Sequence, residues 1–230
     1  MNDIRLLSQE YVSEVRTIFQ PHADAGNALP MKKYMKNHFE FLGIKKPERA
    51  KLSKDVITKL GIPEPEILKE VCFLCFQEEQ REMQYFVYDL IGGLVKKLDD
   101  SFLDMIESLI IQKSWWDTVD FLAPKLAGNI LLRYPNKISE YPKKWIESEN
   151  IWLQRSAILF QLDYKNKTNQ ELLYEFILKR ADSKEFFVQK AAGWALREYS
   201  KTNPGAVKQF IMNHTLPKLT VREGLKRIND

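Results

Sequence analysis

The sequence predicts an all-helical protein. Glycine is scarce, at 9 of 230 residues. No Asn-Gly or Asp-Gly turn lies between alternating apolar runs, and apolar residues recur at spacings of three and four along most of the chain. The length allows a substantial core, and residues 1–230 are read as a single domain.

The elements follow in order. Over residues 3–20, Ile4, Leu7, Tyr11, Val15 and Ile18 fall on one helical stripe. Next come PERAKLSKDVITKLG, PEPEILKEVCFLCF, EQREMQYFVYDLIGGLVKKL and SFLDMIESLIIQ, separated by short polar or proline-containing breaks. Pro47-Glu48 and Pro65-Glu66 suit the first turn of a helix, where a missing N–H is harmless and an acid meets the helix dipole. The spacing implies about six helix pairs of roughly 30–40 residues each, the size of HEAT-type repeats that stack into a curved solenoid with one concave face. A plain helical bundle is the competing architecture.

Composition narrows the class. Apolar residues make up 44% and charged residues 29%, and no apolar run approaches the roughly 20 residues of a membrane span. The N-terminus MNDIRLLSQEYVSEV is acidic where a signal peptide would be basic, so a cytoplasmic location is expected. Cys72 and Cys75 sit in the apolar run VCFLCF, and His22, His38 and His214 offer no companion ligand spacing. The two cysteines are read as buried structural thiols, and no metal or cofactor is expected. Net charge is +4. Residues 31–54 hold eight Lys/Arg against two acids, 184–230 hold nine against four, and 55–112 hold five against twelve. Two basic segments around an acidic middle suggest a face built for a polyanion; clustering on solvated helices is the plainer reading.

Three constellations suggest chemistry. In KSWWDTVDFLAPKLA, Trp115, Val119, Leu122 and Leu126 form an apolar stripe, and Trp116, Asp120, Ala123 and Ala127 form its neighbour. The alanines are expected to leave open space beside the acid. Pro124 cannot donate to the Asp120 carbonyl, so the helix should bend or begin there. In DSKEFFVQKAAGWALREYSK, Asp182 and Glu185 read as a capping pair and Val188, Ala192, Ala195 and Tyr199 as core. Beside them Lys190, Trp194, Arg197 and Lys201 form a stripe in which three cations bracket one tryptophan. Such a stripe calls for anions outside it, or packs as a tryptophan beneath basic stems. In IWLQRSAILF, Arg155 interrupts an apolar helix and must meet a carboxylate or an external anion.

KSWWDTVDFLAP, NIWLQRSAILFQLDYK, SKEFFVQKAAGWALREYSKTNP and YMKNHFEFLGIKKPER resemble, in the same order, the alkylpurine DNA glycosylases of the AlkC/AlkD type. The resemblance runs from about residue 30 to the C-terminus. It implies a HEAT-like solenoid whose concave basic face grips duplex DNA, with a catalytic aspartate at Asp120, cleft tryptophans at Trp116 and Trp194, and a cleft arginine at Arg155. It further implies an aromatic near the lesion at Tyr34. Two positions depart: Lys45 stands where glutamine is usual after FLGI, and Asp163 where a lysine is expected.

The implied reaction needs no cofactor and no general acid, because alkylation at N3 or N7 has already made the purine a cationic leaving group. A fixed carboxylate stabilises the oxocarbenium ion and orients water. The tryptophan faces favour a charged base by roughly 0.5–2 kcal/mol each. Lys45, Lys190, Arg197 and Lys201, with Arg155, would hold phosphates without reading sequence. No wedge residue is evident, and the resemblance implies that base extrusion is not required. The expected partner is duplex DNA carrying alkylated purines, met by a monomer with no membrane and no obligate protein partner. The alternative is a non-catalytic HEAT-repeat module binding DNA or protein, which has no need of Asp120.

Overall fold

The computed structural model describes residues 2–228. Among these, everything regular is helical apart from one isolated bridge between Glu40 and Gln80. The chain divides into two compact units, residues 1–97 and 98–230.

The first unit contains α1 (Asn2–Phe19), α2 (Ala25–Tyr34), α3 (Lys46–Leu60), α4 (Pro65–Gln77) and α5 (Arg81–Gly92). Proline opens α3 and α4 as expected, and the Asp24 side chain caps α2 by accepting from Asn27 N. The buried stripe of α1 is Ser8, Tyr11, Val12, Val15 and Phe19. Leu7, expected in the core, is 48% exposed, and Ile18 is only half-buried. Val12 and Phe19 take their place because α1 packs against both α3 and α4, which rotates the covered face away from the simplest spacing. Cys72 and Cys75 are fully buried in α4, and burial pushes both thiols well above the ordinary thiol range.

The second unit begins with α6 (Leu103–Ile111) and α7 (Trp116–Phe121). A six-residue π-helical stretch, Leu122–Ala127, leads directly into α8 (Gly128–Arg133). Pro124 therefore neither starts nor breaks the helix. The wider π turn pairs a carbonyl with the N–H five residues on, which passes over the donor that proline lacks. Then come α9 (Pro142–Glu147), α10 (Ile151–Leu159), α11 (Gln170–Lys179), α12 (Phe186–Tyr199), α13 (Pro204–Asn213) and α14 (Lys218–Leu225). Asparagine side chains cap α10, α11 and α13. Asp182 and Glu185 do not cap α12; Ser183 accepts from Glu185 N, and Gln189 returns a bond to the Ser183 carbonyl.

Helices two apart in sequence pack on one another, α1 with α3 and α3 with α5 in the first unit, α10 with α12 and α12 with α14 in the second. This is the layering of a helical repeat. No helix among the described residues is long and apolar enough to cross a membrane.

Candidate active site

Three ring systems bring the first turns of α7, α10 and α12 together. Trp115, Trp152 and Phe187 have mutual centroid distances of 4.9–5.6 Å. Such a triad contributes about 0.5–1.5 kcal/mol per pair beyond its buried area. It sets the distance between the helices that carry Asp120, Arg155 and Trp194.

Beside the triad opens a cavity of about 380 Å³ lined by Trp116, Asp120, Arg155, Phe186, Phe187, Lys190, Trp194 and Arg197. The structure thus gathers the four residues expected to be catalytic, from three helices, around one space. The cavity owes nothing to Ala123 and Ala127, which are fully buried. Their small size lets α7 and its π-helical extension pack closely, and the open volume is bounded by aromatic rings instead.

Asp120 and Arg155 form a bidentate pair. Arg155 Nε donates to Oδ1 and Nη2 to Oδ2, both at 2.8 Å. Arg155 Nη1 donates to the Phe187 carbonyl at 2.6 Å. With 3% exposure and all three donor groups engaged, Arg155 takes the carboxylate it required from within the protein rather than a phosphate from outside. Burial pushes the Asp120 carboxyl above its ordinary range, and the guanidinium draws it back through its hydrogen bonds and charge. Each carboxylate oxygen has a second lone-pair direction, and the Asp120 side chain keeps 20% exposure at the cavity.

Lys190, Trp194 and Arg197 share a face of α12, as the spacing predicts, but the anion for this stripe is internal. Glu223 of α14 is 2% exposed and meets Lys190 at 2.9 Å, Arg197 at 2.8 Å and Lys226 at 2.7 Å. Burial would raise this carboxyl; the surrounding cations overcome it and hold Glu223 down at about 2. Lys201 does not join the stripe. Helix α12 stops at Tyr199, and Lys201 turns to Glu198 at 2.6 Å and lines a separate cavity of about 170 Å³.

The model of the DNA alkylation repair enzyme family matches residues 15–228. The chain belongs to that family. A solved structure described as a predicted DNA alkylation repair enzyme from Enterococcus faecalis is 35% identical, covering 89% of this chain and 96% of its own, with a TM-score of 0.82. The structure of AlkD2 from Streptococcus mutans, 20% identical over 81% of this chain and 92% of its own, shares the fold at a TM-score of 0.60. No curated protein matches the chain. Family membership makes this protein a DNA alkylation repair enzyme.

Of the other positions marked in the sequence of this repair enzyme, Tyr34 and Lys45 lie in the first unit and Asp163 in the second. Tyr34 ends α2, is 68% exposed, and borders a pocket with Pro30, Met31, Met35, Phe41 and Tyr85. Lys45 is exposed at the start of α3. The loop before it is clamped by buried Glu82, which accepts from Leu42, Gly43 and Ile44 N–H at 2.8–3.2 Å. Gly43 has φ 92°, and a Cβ there would lie 2.0 Å from the Asp24 carbonyl oxygen. Asp163, the acidic departure, pairs with Lys125 at 2.7 Å. Sequence reasoning missed Phe186, Phe187 and Glu223. Phe186 was findable, since it stands four residues before Lys190 on the same stripe. Glu223 carried no local signal.

Proposed function

We propose that this alkylation repair enzyme is a DNA glycosylase that hydrolyses the N-glycosidic bond of cationic N3- or N7-alkylated purines in duplex DNA. One observation carries the reading: a fixed, partly exposed carboxylate opens into a cavity walled by aromatic rings. Trp116, Trp194 and Phe186 suit the face of a cationic purine, to which a π-cloud is attracted. Asp120 lies opposite the sugar, where positive charge develops as the base departs. The C1′–N bond breaks with its electron pair going to the base, which leaves neutral. Water adds to C1′, and its proton passes to Asp120 or to solvent. The bidentate bond to Arg155 removes Asp120's rotational freedom, so little reorganisation is needed as charge develops.

In this reading the whole chain, residues 1–230, works as one HEAT-like glycosylase domain, monomeric, without an obligate protein partner, in the bacterial cytosol on the nucleoid. Tyr34, Lys45, Lys190, Arg197 and Lys201 contribute to DNA contact. A non-catalytic binding module would have no use for a held carboxylate facing an aromatic cavity.

The test is single-turnover base release from a duplex carrying one N7-methylguanine. Asp120→Asn keeps the shape but not the charge, so release should fall by on the order of 10²–10⁴-fold. Binding to the same duplex should hold or tighten as a negative charge is lost. Wild-type release by the Asn variant removes Asp120 from the reaction, and no release by the wild-type protein overturns the glycosylase reading.

A further inference from the structure

Lys190 and Arg197 pose a problem for a cavity that takes a cationic base: both line it, and both carry positive charge. Their common partner resolves it. Glu223 lies behind the wall, its two oxygens divided between them, Oε1 to Lys190 at 2.9 Å and Oε2 to Arg197 at 2.8 Å. The fold makes particular provision for this acid. A Cβ on Gly193 would lie 2.5 Å from Glu223 Cβ and 2.9 Å from the Thr220 carbonyl oxygen, so only glycine lets α14 approach α12 this closely. Thr220 Oγ1 fastens the approach by donating to the Gln189 carbonyl at 3.0 Å. A nearly buried carboxylate surrounded by three cations remains ionised at every working pH.

We propose that Glu223 is a specificity-determining residue, which holds the Lys190 and Arg197 cations against the wall so that the cavity prefers a cationic purine to a neutral one. It acts through these two side chains and does not touch the base. The proposal rests on the glycosylase reading for the identity of the occupant. Without Glu223, one further unit of uncompensated positive charge would face the base, and the two side chains, no longer shared with an internal acid, would engage phosphates more fully. Base preference and DNA affinity should then move in opposite directions. A purely structural role would instead lower both together.

Trp116 and Trp194 provide a signal that needs no bond cleavage: quenching of their fluorescence by N7-methylguanosine, at mildly acidic pH where its ring is cationic, compared with guanosine. Wild-type protein should bind the cation more tightly. In Glu223→Gln that preference should fall about tenfold, the scale of one unit charge several ångströms away at intermediate dielectric. Affinity for undamaged duplex should rise, with the log–log salt slope steeper by about one for each cation freed. An unchanged preference, a joint loss of both affinities, or no preference in the wild-type protein overturns the proposal. If Glu223→Gln does not fold, Lys190→Gln decides: removing one wall cation should raise the preference, and no change overturns the proposal. Failure of base release, measured separately, would sink the glycosylase reading while leaving the nucleoside comparison to decide the role of Glu223.

Discussion

Two carboxylates shape the second unit, Asp120 part-buried and Glu223 buried, and they are held in opposite ways. Asp120 has one cation, Arg155, which bonds both of its oxygens in a charge-balanced pair, and its side chain keeps 20% exposure at the cavity. Glu223 has three cations and 2% exposure. Burial acts on both in the same sense, yet Asp120 ends above its ordinary range and Glu223 at about 2. The balance between burial and the opposing charges decides the sign. An acid that is to meet a reacting group keeps an open side and an adjustable charge, whereas one that organises other side chains is enclosed and locked in its ionised form.

The strongest way to break this contrast is to remove Arg155, the one cation paired with Asp120 among the described residues. Arg155→Leu should cost about 3 kcal/mol in urea unfolding, since it leaves a mostly buried carboxylate unpaired, and should lower base release by at least about 10²-fold as that carboxylate loses its fixed position. Wild-type release by this variant would show that Arg155 does not hold the working geometry.

Acid should separate the two carboxylates next. The proposed reaction needs Asp120 ionised, and its carboxyl is raised, so base release should fall as pH drops through a value above the ordinary 3.8. Because its folded-state value is raised, protonation there favours the fold rather than opposing it. Glu223 is depressed from 4.5 to about 2, so its contribution to stability is complete above 4.5 and is lost as pH falls towards 2. Activity should therefore decline before the fold does. Parallel pH profiles of single-turnover release and thermal unfolding measure this, and coincident loss of both would erase the distinction. Glu223→Gln should flatten the stability profile between 4.5 and 2 while leaving the Asp120 limb of the rate profile in place.

The smallest expected effect belongs to Lys201, which shares its charge with surface Glu198 rather than with a buried acid. An exposed pair contributes about 0–1 kcal/mol. Lys201→Met should therefore leave unfolding almost unmoved while reducing the salt slope of DNA binding by about one. An unchanged slope would place Lys201 outside the DNA contact.

Much of this was legible in the order of residues. Prolines at the starts of α3 and α4 mark boundaries because their effect is local to one turn. The spacing of Trp116 to Asp120, and of Lys190 to Trp194 and Arg197, correctly placed those side chains on shared helix faces, since 3.6 residues per turn is a property of the backbone alone. The same rule failed where an element ended or changed pitch. Lys201 lies beyond the end of α12, Pro124 is absorbed by a π turn, and the covered face of α1 is chosen by the helices that pack on it.

Residue order was enough for the helical class, most helix starts, and the carboxylate and tryptophans that the proposed reaction would use. Which charges meet was settled by the packing of the helices. Arg155 lies 35 residues from Asp120, and Glu223 lies 26 residues from Arg197. Periodicity carries information across a few helical turns, whereas a pairing over such separations depends on how helices stack. Coulomb energy in a buried site then depends on distance and exposure, neither of which is written in the order of residues.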